Sequence, residues 1–401
     1  MKETESKFIF YFEYTGSLGG VSMLWISIFE ELIKRDKKFL FFNFENSDMH
    51  KIIIKKGYNN FPLIDINKFD WLKIDEIVNN EDILVITSFD QFLYNFLKAS
   101  PKVIYYNLSQ YVSKIAAYKF GLNFKFLGRK LIENLDNKHA FAAMDSGRFR
   151  ETEEFYNYQI INKYYLPVAL DTSFSNNYDY KISESISFGY IGRSVDWKMM
   201  PLLKILEDVY KTGIEANFHL IISSYQELLR FIPIHKFQDR ITFIIKESLP
   251  YDELNKYIVD NSIDVAFGMG TSILDFAKHG IPSIVVDYST NLIPVNYKYI
   301  WLHNTRYFGL GDDISKHYIE NDKGFAINEL ILKIKNDPNF LTNISKLDYN
   351  YVTHYHNISY FVDELHKQAD RTSFYLKEAR IYVPYLSRIH NALRKLYYRR
   401  K

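Results

Sequence analysis

The chain has 401 residues, 47% of them hydrophobic, and its 50 Lys and Arg against 48 Asp and Glu give a formal net charge of +2. This length suits two α/β domains of similar size, and the balanced charge argues against a dedicated nucleic-acid-binding protein. The sequence contains no cysteine, which excludes disulfides and thiolate metal sites. Because it shows neither a secretory leader nor a run of about eighteen apolar residues, we expect a cytoplasmic protein.

Short apolar runs typical of strands alternate with helical patterns through the first 165 residues. The strands are predicted at 8–14, 39–44, 83–87, 103–107, 140–144 and 164–166. Residues 21–34 carry apolar side chains at helical spacing, which predicts an amphipathic helix after the first strand. This alternation is typical of a mostly parallel sheet with crossover helices.

A second alternating block follows a polar stretch at 171–185, which we interpret as a linker. Its strands are predicted at 186–191, 218–222, 241–245, 264–267 and 283–286, and from about residue 328 the pattern is helical. The sequence therefore predicts an α/β protein with two Rossmann-like domains, 1–170 and 186–348, followed by helices over 349–401. These last helices either trail behind the second domain or cross back to the first. Ligands of such sheets bind at the carboxyl ends of strands, so functional residues are expected there.

A glycine-containing turn at 15–21 lies between the first predicted strand and its helix. Glycines such as Gly19 and Gly20 let the backbone approach a ligand closely, and a helix start presents free N–H groups to an anion. The alternative is a tight strand-to-helix turn that binds nothing.

Two cationic residues, Arg193 and Lys198, follow the first strand of the second block. A fork-shaped guanidinium and an ammonium that converge on one point suit a diphosphate. Such fixed cations stabilise the charge that grows on a leaving diphosphate without a metal ion. The alternative is a pair of solvated side chains that share no ligand.

A glycine-rich turn at 268–272 leads from a predicted strand into a helix, which we expect Thr271 or Ser272 to cap. Gly270 and these two residues would form an anion site at the helix start. Asp275, one turn further on, is suited to accept hydrogen bonds from a ribose diol. The competing interpretation makes Asp275 a partner of the helix dipole.

These segments, in this order, resemble the GT-B glycosyltransferases, in particular the large retaining family that includes the glycogen and sucrose synthases. The family's Gly-Gly-Val loop matches 19–21, and the line that closes its first domain matches 166–174. Its G-R-x-x-x-x-K motif matches 192–198, and its L-E-A-M-A-x-G-x-P helix matches 274–282. The resemblance covers most of the chain. It implies two Rossmann-like domains that face each other across a cleft, with helices at the C-terminus.

The resemblance also implies roles for individual residues. Arg193 and Lys198 would bind the donor diphosphate, Gly20 would approach the phosphate or the transferred sugar, and Asp275 would contact the ribose or a nearby donor group. The donor would be a nucleotide sugar, and neither a cofactor nor a metal ion would be required.

The sequence departs from the retaining family at two places. Phe267 stands where that family has its first glutamate, in a shortened loop that is similar to the inverting peptidoglycan GlcNAc-transferase group. Asn107 stands where a histidine would contact the donor sugar. Both stereochemical outcomes therefore stay open. An inverting enzyme needs a general base, for which Glu13 and Asp90 are the candidates, whereas in a retaining enzyme the leaving diphosphate itself receives the proton.

Two further features concern metals and membranes. The histidines show no metal-like spacing with carboxylates, so we expect no metal site. Residues 380–401 combine apolar residues with Arg and Lys, six of which fall at or after residue 388. This basic amphipathic pattern suits peripheral contact with an anionic membrane, and the alternative is a final helix that packs back on the protein and ends in a basic tail.

The leading interpretation is a glycosyltransferase that moves a sugar from a nucleotide to a glycan or lipid-linked acceptor, in the biosynthesis of a bacterial surface polysaccharide. One alternative is a nucleotide-sugar epimerase of the same two-domain plan. Another is a GT-B-shaped binding or scaffold subunit that has lost catalysis, because a fold does not guarantee an activity.

Overall fold

The computed structural model describes residues 6–12, 20–87, 97–108, 125–172, 185–315, 318, 320–379 and 382. The chain divides into two compact units, one of Met1–Ala169 with Ile358–Lys401 and the other of Leu170–Asn357. Each unit is built on a largely parallel sheet with helices between the strands. This confirms the α/β class that the alternating pattern predicts.

The first unit contains a seven-stranded parallel sheet in the order β3-β2-β1-β4-β5-β6-β7. Its strands are β1 Phe8–Tyr11, β2 Phe39–Asn43, β3 Leu63–Asp65, β4 Ile83–Ile86, β5 Lys102–Asn107, β6 Phe141–Ala143 and β7 Tyr164–Tyr165. Its helices are α1 Gly20–Lys34, α2 Asp48–Lys55, α3 Ile74–Ile77, α4 Lys125–Asn137 and α5 Ser146–Tyr156. All residues of β1 and β4 are buried, as expected of central parallel strands that are covered on both faces.

The second unit contains a six-stranded sheet in the order β10-β9-β8-β11-β12-β13, in which only β13 runs antiparallel to its neighbour. Its strands are β8 Ile186–Gly192, β9 Ala216–Ile222, β10 Ile241–Glu247, β11 Val265–Gly268, β12 Ser283–Val285 and β13 Ile300–Trp301. Its helices are α6 Asp196–Lys211, α7 Tyr225–Phe231, α8 Tyr251–Asp260, α9 Thr271–Ala277, α10 Ile327–Asn336 and α11 Phe340–Tyr355.

The last described helices, α12 Ile358–Arg371 and α13 Leu376–Ala379, belong to the first unit. Ser359 Oγ donates to the Glu31 carboxylate of α1 at 2.8 Å, and Arg35, directly after α1, donates to the Ser359 carbonyl at 2.9 Å. Beyond α12, the Val103 amide donates to the Phe374 carbonyl at 2.8 Å. The segment after residue 357 is therefore bonded both to α1 and to β5.

Every strand predicted from the sequence is present, and the helix predicted at 21–34 is α1. The short strands β3 and β13 are additions that the sequence pattern did not predict. They contain three and two residues.

Candidate functional site

The candidate site lies at the carboxyl edge of the second unit's sheet. Strand β8 lies between β9 and β11. From β8 the strand order runs to β9 and β10 on one side, and from β11 it runs to β12 and β13 on the other. The ends of β8 at Gly192 and of β11 at Gly268 lie on the same edge. The strand order reverses at this point, and ligands of doubly wound sheets bind at such a point.

The turn after β8 is fixed to the turn after β9. The Ser194 amide donates to Ser223 Oγ at 2.9 Å, and Ser194 Oγ donates to the Ser224 carbonyl at 2.8 Å. The buried Tyr190 lies beneath this turn, with its hydroxyl donating to the Lys198 carbonyl at 2.9 Å. These bonds hold the backbone on both sides of Arg193 in one conformation.

The first turn of α6 is hydrogen-bonded to a distant loop at a carbonyl that a proline leaves without its helix partner. Pro201 lies inside α6 and has no N–H to offer the Trp197 carbonyl, which its position in a helix would otherwise bond. The Ser289 amide donates to that carbonyl instead, at 3.3 Å. The Trp197 ring also meets the Tyr288 ring, with centroids 5.5 Å apart. The start of α6 is thus attached to the segment that follows β12.

Arg193 and Lys198 both lie close to the Trp197 ring. The Arg193 guanidinium carbon is 5.8 Å and Lys198 Nζ is 5.2 Å from the ring centroid. Burial, and next the neighbouring Arg193 charge, lower the pKa of Lys198 to about 8. Within the residues that the structure describes, neither side chain forms a salt bridge or a hydrogen bond with a carboxylate. Two adjacent cations without an acidic partner are arranged to receive an anion.

The turn after β11 differs from its prediction. Gly270 is the N-cap of α9, with φ 63° and ψ −144°, and no side chain caps the helix. Ser272 Oγ donates to the Met269 carbonyl at 2.8 Å instead of accepting a bond from the helix start. The expectation that Thr271 or Ser272 caps the helix is therefore wrong, because the glycine conformation at residue 270 turns the chain without a side-chain cap.

Asp275 is engaged inside the second unit. Its Oδ1 accepts a hydrogen bond from Lys278 Nζ at 2.8 Å, and both side chains are buried. The ion pair joins Asp275 to the residue that ends its helix. Its contact with a ribose stays a prediction.

The structure reaches only part of the predicted site in the first unit. Glu13, Gly19 and Asp90 lie outside the described residues, and Gly20 is the first residue of α1. Asn107 ends β5 and is buried, and its amide nitrogen donates to Thr152 Oγ1 at 3.1 Å. That nitrogen is directed to α5, whereas the side-chain oxygen Oδ1 is buried and has no hydrogen-bond partner in the described part of the chain. The sugar contact of Asn107 stays a prediction.

Sequence reasoning missed the residues that organise the two cations. Trp197 lies between Arg193 and Lys198 in the motif, but the motif predicts no role for its ring, and Ser289 carries no signal in the sequence. An aromatic residue between two cations is the one local signal that could have indicated a shared site, because cations favour aromatic faces.

Neither a metal centre nor a membrane span is found in the described part of the chain. No group of three or more His, Asp or Glu residues there has the arrangement of a metal site. None of the described helices is both long and apolar enough to cross a bilayer. The basic segment 380–401 lies outside the described residues except for Tyr382.

Comparison with known proteins identifies the fold. No protein-family model and no curated protein matches the sequence. Among solved structures, a glycosyltransferase from Rickettsia africae superposes with a TM-score of 0.60 at 13% identity, covering 91% of this chain and 98% of that chain. HepE of Anabaena, in complex with UDP, superposes with a TM-score of 0.57 at 11% identity, covering 91% of this chain and 99% of that chain. An alpha-glucosyltransferase in complex with UDP and DNA containing an HMU base superposes with a TM-score of 0.55 at 14% identity. This superposition also covers 91% of this chain and 99% of that chain. The chain therefore has the fold of the GT-B glycosyltransferases.

Proposed function

We propose that this protein is a glycosyltransferase that uses a nucleotide-sugar donor, with the donor diphosphate held by Arg193 and Lys198. The observation that carries the proposal is the pair of cations over the Trp197 ring, with no carboxylate partner among the described residues. The pair lies at the carboxyl edge of a doubly wound sheet, where such ligands bind. The fold, shared with structures that hold UDP, supports the same assignment.

The two cations would act on the bond that breaks. In the transfer, the bond between the sugar's anomeric carbon and the diphosphate oxygen breaks, and the acceptor oxygen bonds that carbon. Negative charge grows on the departing diphosphate, and positive groups already in place stabilise it without rearrangement. The acceptor proton goes to a general base in an inverting reaction and to the departing diphosphate in a retaining one.

For the acceptor we propose a glycan or a lipid-linked glycan of a bacterial surface polysaccharide. The nearly balanced charge of +2 disfavours DNA, whose binding proteins carry a basic surface. The basic segment at 380–401 suits an acceptor presented at an anionic membrane. The fold alone does not choose the acceptor, because the alpha-glucosyltransferase with the same fold was crystallised with DNA.

The experiment measures nucleotide release from UDP-, GDP- and CMP-sugars, with lipid-linked glycan and with DNA as acceptors. We expect acceptor-dependent release from one donor with the glycan. Arg193→Ala or Lys198→Ala should weaken donor use at least about tenfold, since a charged hydrogen bond contributes about 1.5–3 kcal/mol. Lys211→Ala, an exposed charge at the far end of α6, is the matched control and should keep full turnover.

Each of the other outcomes would indicate a different function for this protein. Donor conversion without acceptor would indicate an epimerase, and silence across the panel without nucleotide binding would indicate a scaffold. Release that depends on DNA would overturn the proposed acceptor. Full turnover in both site variants would show that the diphosphate binds elsewhere.

A further inference from the structure

A cavity of about 460 Å³ lies in the first unit, at the edge of the sheet where its strands begin. Phe8, Ile83 and Lys102 line it, and they are the first residues of β1, β4 and β5. Ligands of doubly wound sheets bind at the carboxyl ends of the strands. The cavity is therefore at the opposite edge of its sheet, and it belongs to a different unit from Arg193 and Lys198.

The wall of this cavity carries more basic than acidic side chains. Four lysines line it, and the acidic residues on the same wall are Glu81 and Asp370. The lysines are Lys7, Lys37, Lys38 and Lys102. Lys7 is neutralised by the buried Asp82, with Nζ 2.9 Å from the carboxylate.

Two of these lysines have no acidic partner in the described part of the chain. Among the residues that the structure describes, Lys37 and Lys102 form neither a salt bridge nor a side-chain hydrogen bond. Lys37 is exposed and Lys102 is half-buried. Charged groups that the fold leaves uncompensated at a cavity are available to a ligand of opposite charge.

His366 of α12 adds a ring and a hydrogen-bonding nitrogen to the wall. Its ring meets the Phe8 ring edge to face, with centroids 4.9 Å apart. Its Nε2 is buried and has no hydrogen-bond partner in the described residues. Burial lowers the pKa of His366, and the positive charges of Lys37 and Arg35 lower it further. The cavity thus combines a positive environment with an unused polar group beside an aromatic surface.

We infer that this cavity binds a phosphate-bearing ligand, with the phosphate at Lys37 and Lys102 and an organic group against Phe8 and His366. Its volume of about 460 Å³ lies in the range of small-molecule sites and exceeds what a bare phosphate fills. A phosphate ester with a small organic group has this chemistry, whether as a free metabolite or as the headgroup of an anionic lipid. The inference does not depend on the proposed transferase activity.

The test measures binding of inorganic phosphate and glycerol 3-phosphate to the full chain by calorimetry. Cosedimentation with phosphatidylglycerol vesicles, against phosphatidylcholine vesicles, measures binding to a lipid headgroup. We expect Lys37→Ala with Lys102→Ala to weaken binding of the responding probe at least about tenfold, as loss of two charged contacts predicts. Replacing both lysines by arginine should preserve binding.

The matched control is Lys55→Ala with Lys73→Ala, which removes the same charge from exposed positions of the same unit. It should leave binding unchanged. Arg193→Ala with Lys198→Ala removes the proposed donor site, so the binding that remains in that variant reports on this cavity. Binding of glycerol 3-phosphate supports a free metabolite, and binding of phosphatidylglycerol vesicles alone supports a headgroup. If no probe binds at millimolar concentration, or if the control pair loses as much binding as the cavity pair, the inference is overturned.

Discussion

The segments that follow β8 and β11 begin at the same edge of one sheet, yet their charged side chains differ in whether they have a partner of opposite charge. After β8, Arg193 and Lys198 share an aromatic ring and have no carboxylate partner among the described residues. After β11, Asp275 is bonded to Lys278 at 2.8 Å, and both are buried. Removing one partner of a buried ion pair destabilises the fold, whereas a charge without such a partner is available for a ligand. We therefore expect mutations in the two segments to change different properties.

The largest expected effect is on stability, at Asp275 in the helix that follows β11. Asp275→Ala leaves the Lys278 ammonium buried without its carboxylate, so the free energy of unfolding should fall by about 3 kcal/mol. Urea unfolding of the variant and of the natural protein measures this change in the free energy of unfolding. Replacing the pair together, by Asp275→Leu with Lys278→Met, should restore most of the loss because both charges of the pair are removed.

The contrast requires that the turn after β8 behaves differently in the same measurement. Arg193→Ala should change the free energy of unfolding by less than about 0.5 kcal/mol, as for most surface substitutions. A loss below about 1 kcal/mol in Asp275→Ala, or an equal loss in both variants, would remove the distinction between the two segments.

The next effect is a pH dependence of anion binding at Lys198, whose pKa is lowered to about 8. Lys198 loses its charge as pH rises through this value, so affinity for a nucleoside diphosphate should fall about tenfold from pH 7 to pH 9. Calorimetric titration across this range measures it.

Lys198→Arg is the matched control for the pH dependence. Arginine keeps its charge throughout the range, so the variant's affinity should stay level. If the variant shows the same decline as the natural protein, another group is responsible.

The smallest effect concerns the bond between Ser289 and Trp197. Pro201→Ala returns an N–H that competes with the Ser289 amide for the Trp197 carbonyl. Since a hydrogen bond contributes about 1 kcal/mol net, diphosphate affinity should fall by at most about fivefold. Leu203→Ala, on the same helix and away from this carbonyl, serves as the comparison variant. Unchanged affinity in Pro201→Ala would show that the bond does not position the cations.

The sequence predicts the fold well because the buried strands are continuous apolar runs. Residues 8–11 and 83–86 contain no charged residue, and each forms a central strand. Arg193 and Lys198 were also found, since they belong to a local motif that follows a strand. Local patterns are sufficient for these features.

Other parts of the site depend on burial or on distant contacts. The spacing of Asp275 and Lys278 is visible in the sequence, but the burial that makes their pair strong is not. The missing cap at Thr271 follows from the backbone angles of Gly270, which a capping rule does not include. The amide that replaces the N–H missing at Pro201 comes from Ser289, and no local pattern links these positions.

The proline in α6 has a further consequence for how this surface can vary. The Trp197 carbonyl of α6 accepts its hydrogen bond from an amide in another part of the chain. A change in that other part can therefore displace the first turn of α6. Insertions or substitutions between residues 286 and 291 would shift Trp197, and with it the two cations that lie near its ring. Variation in that loop can therefore change how tightly an anion is held while every anion-binding residue stays the same.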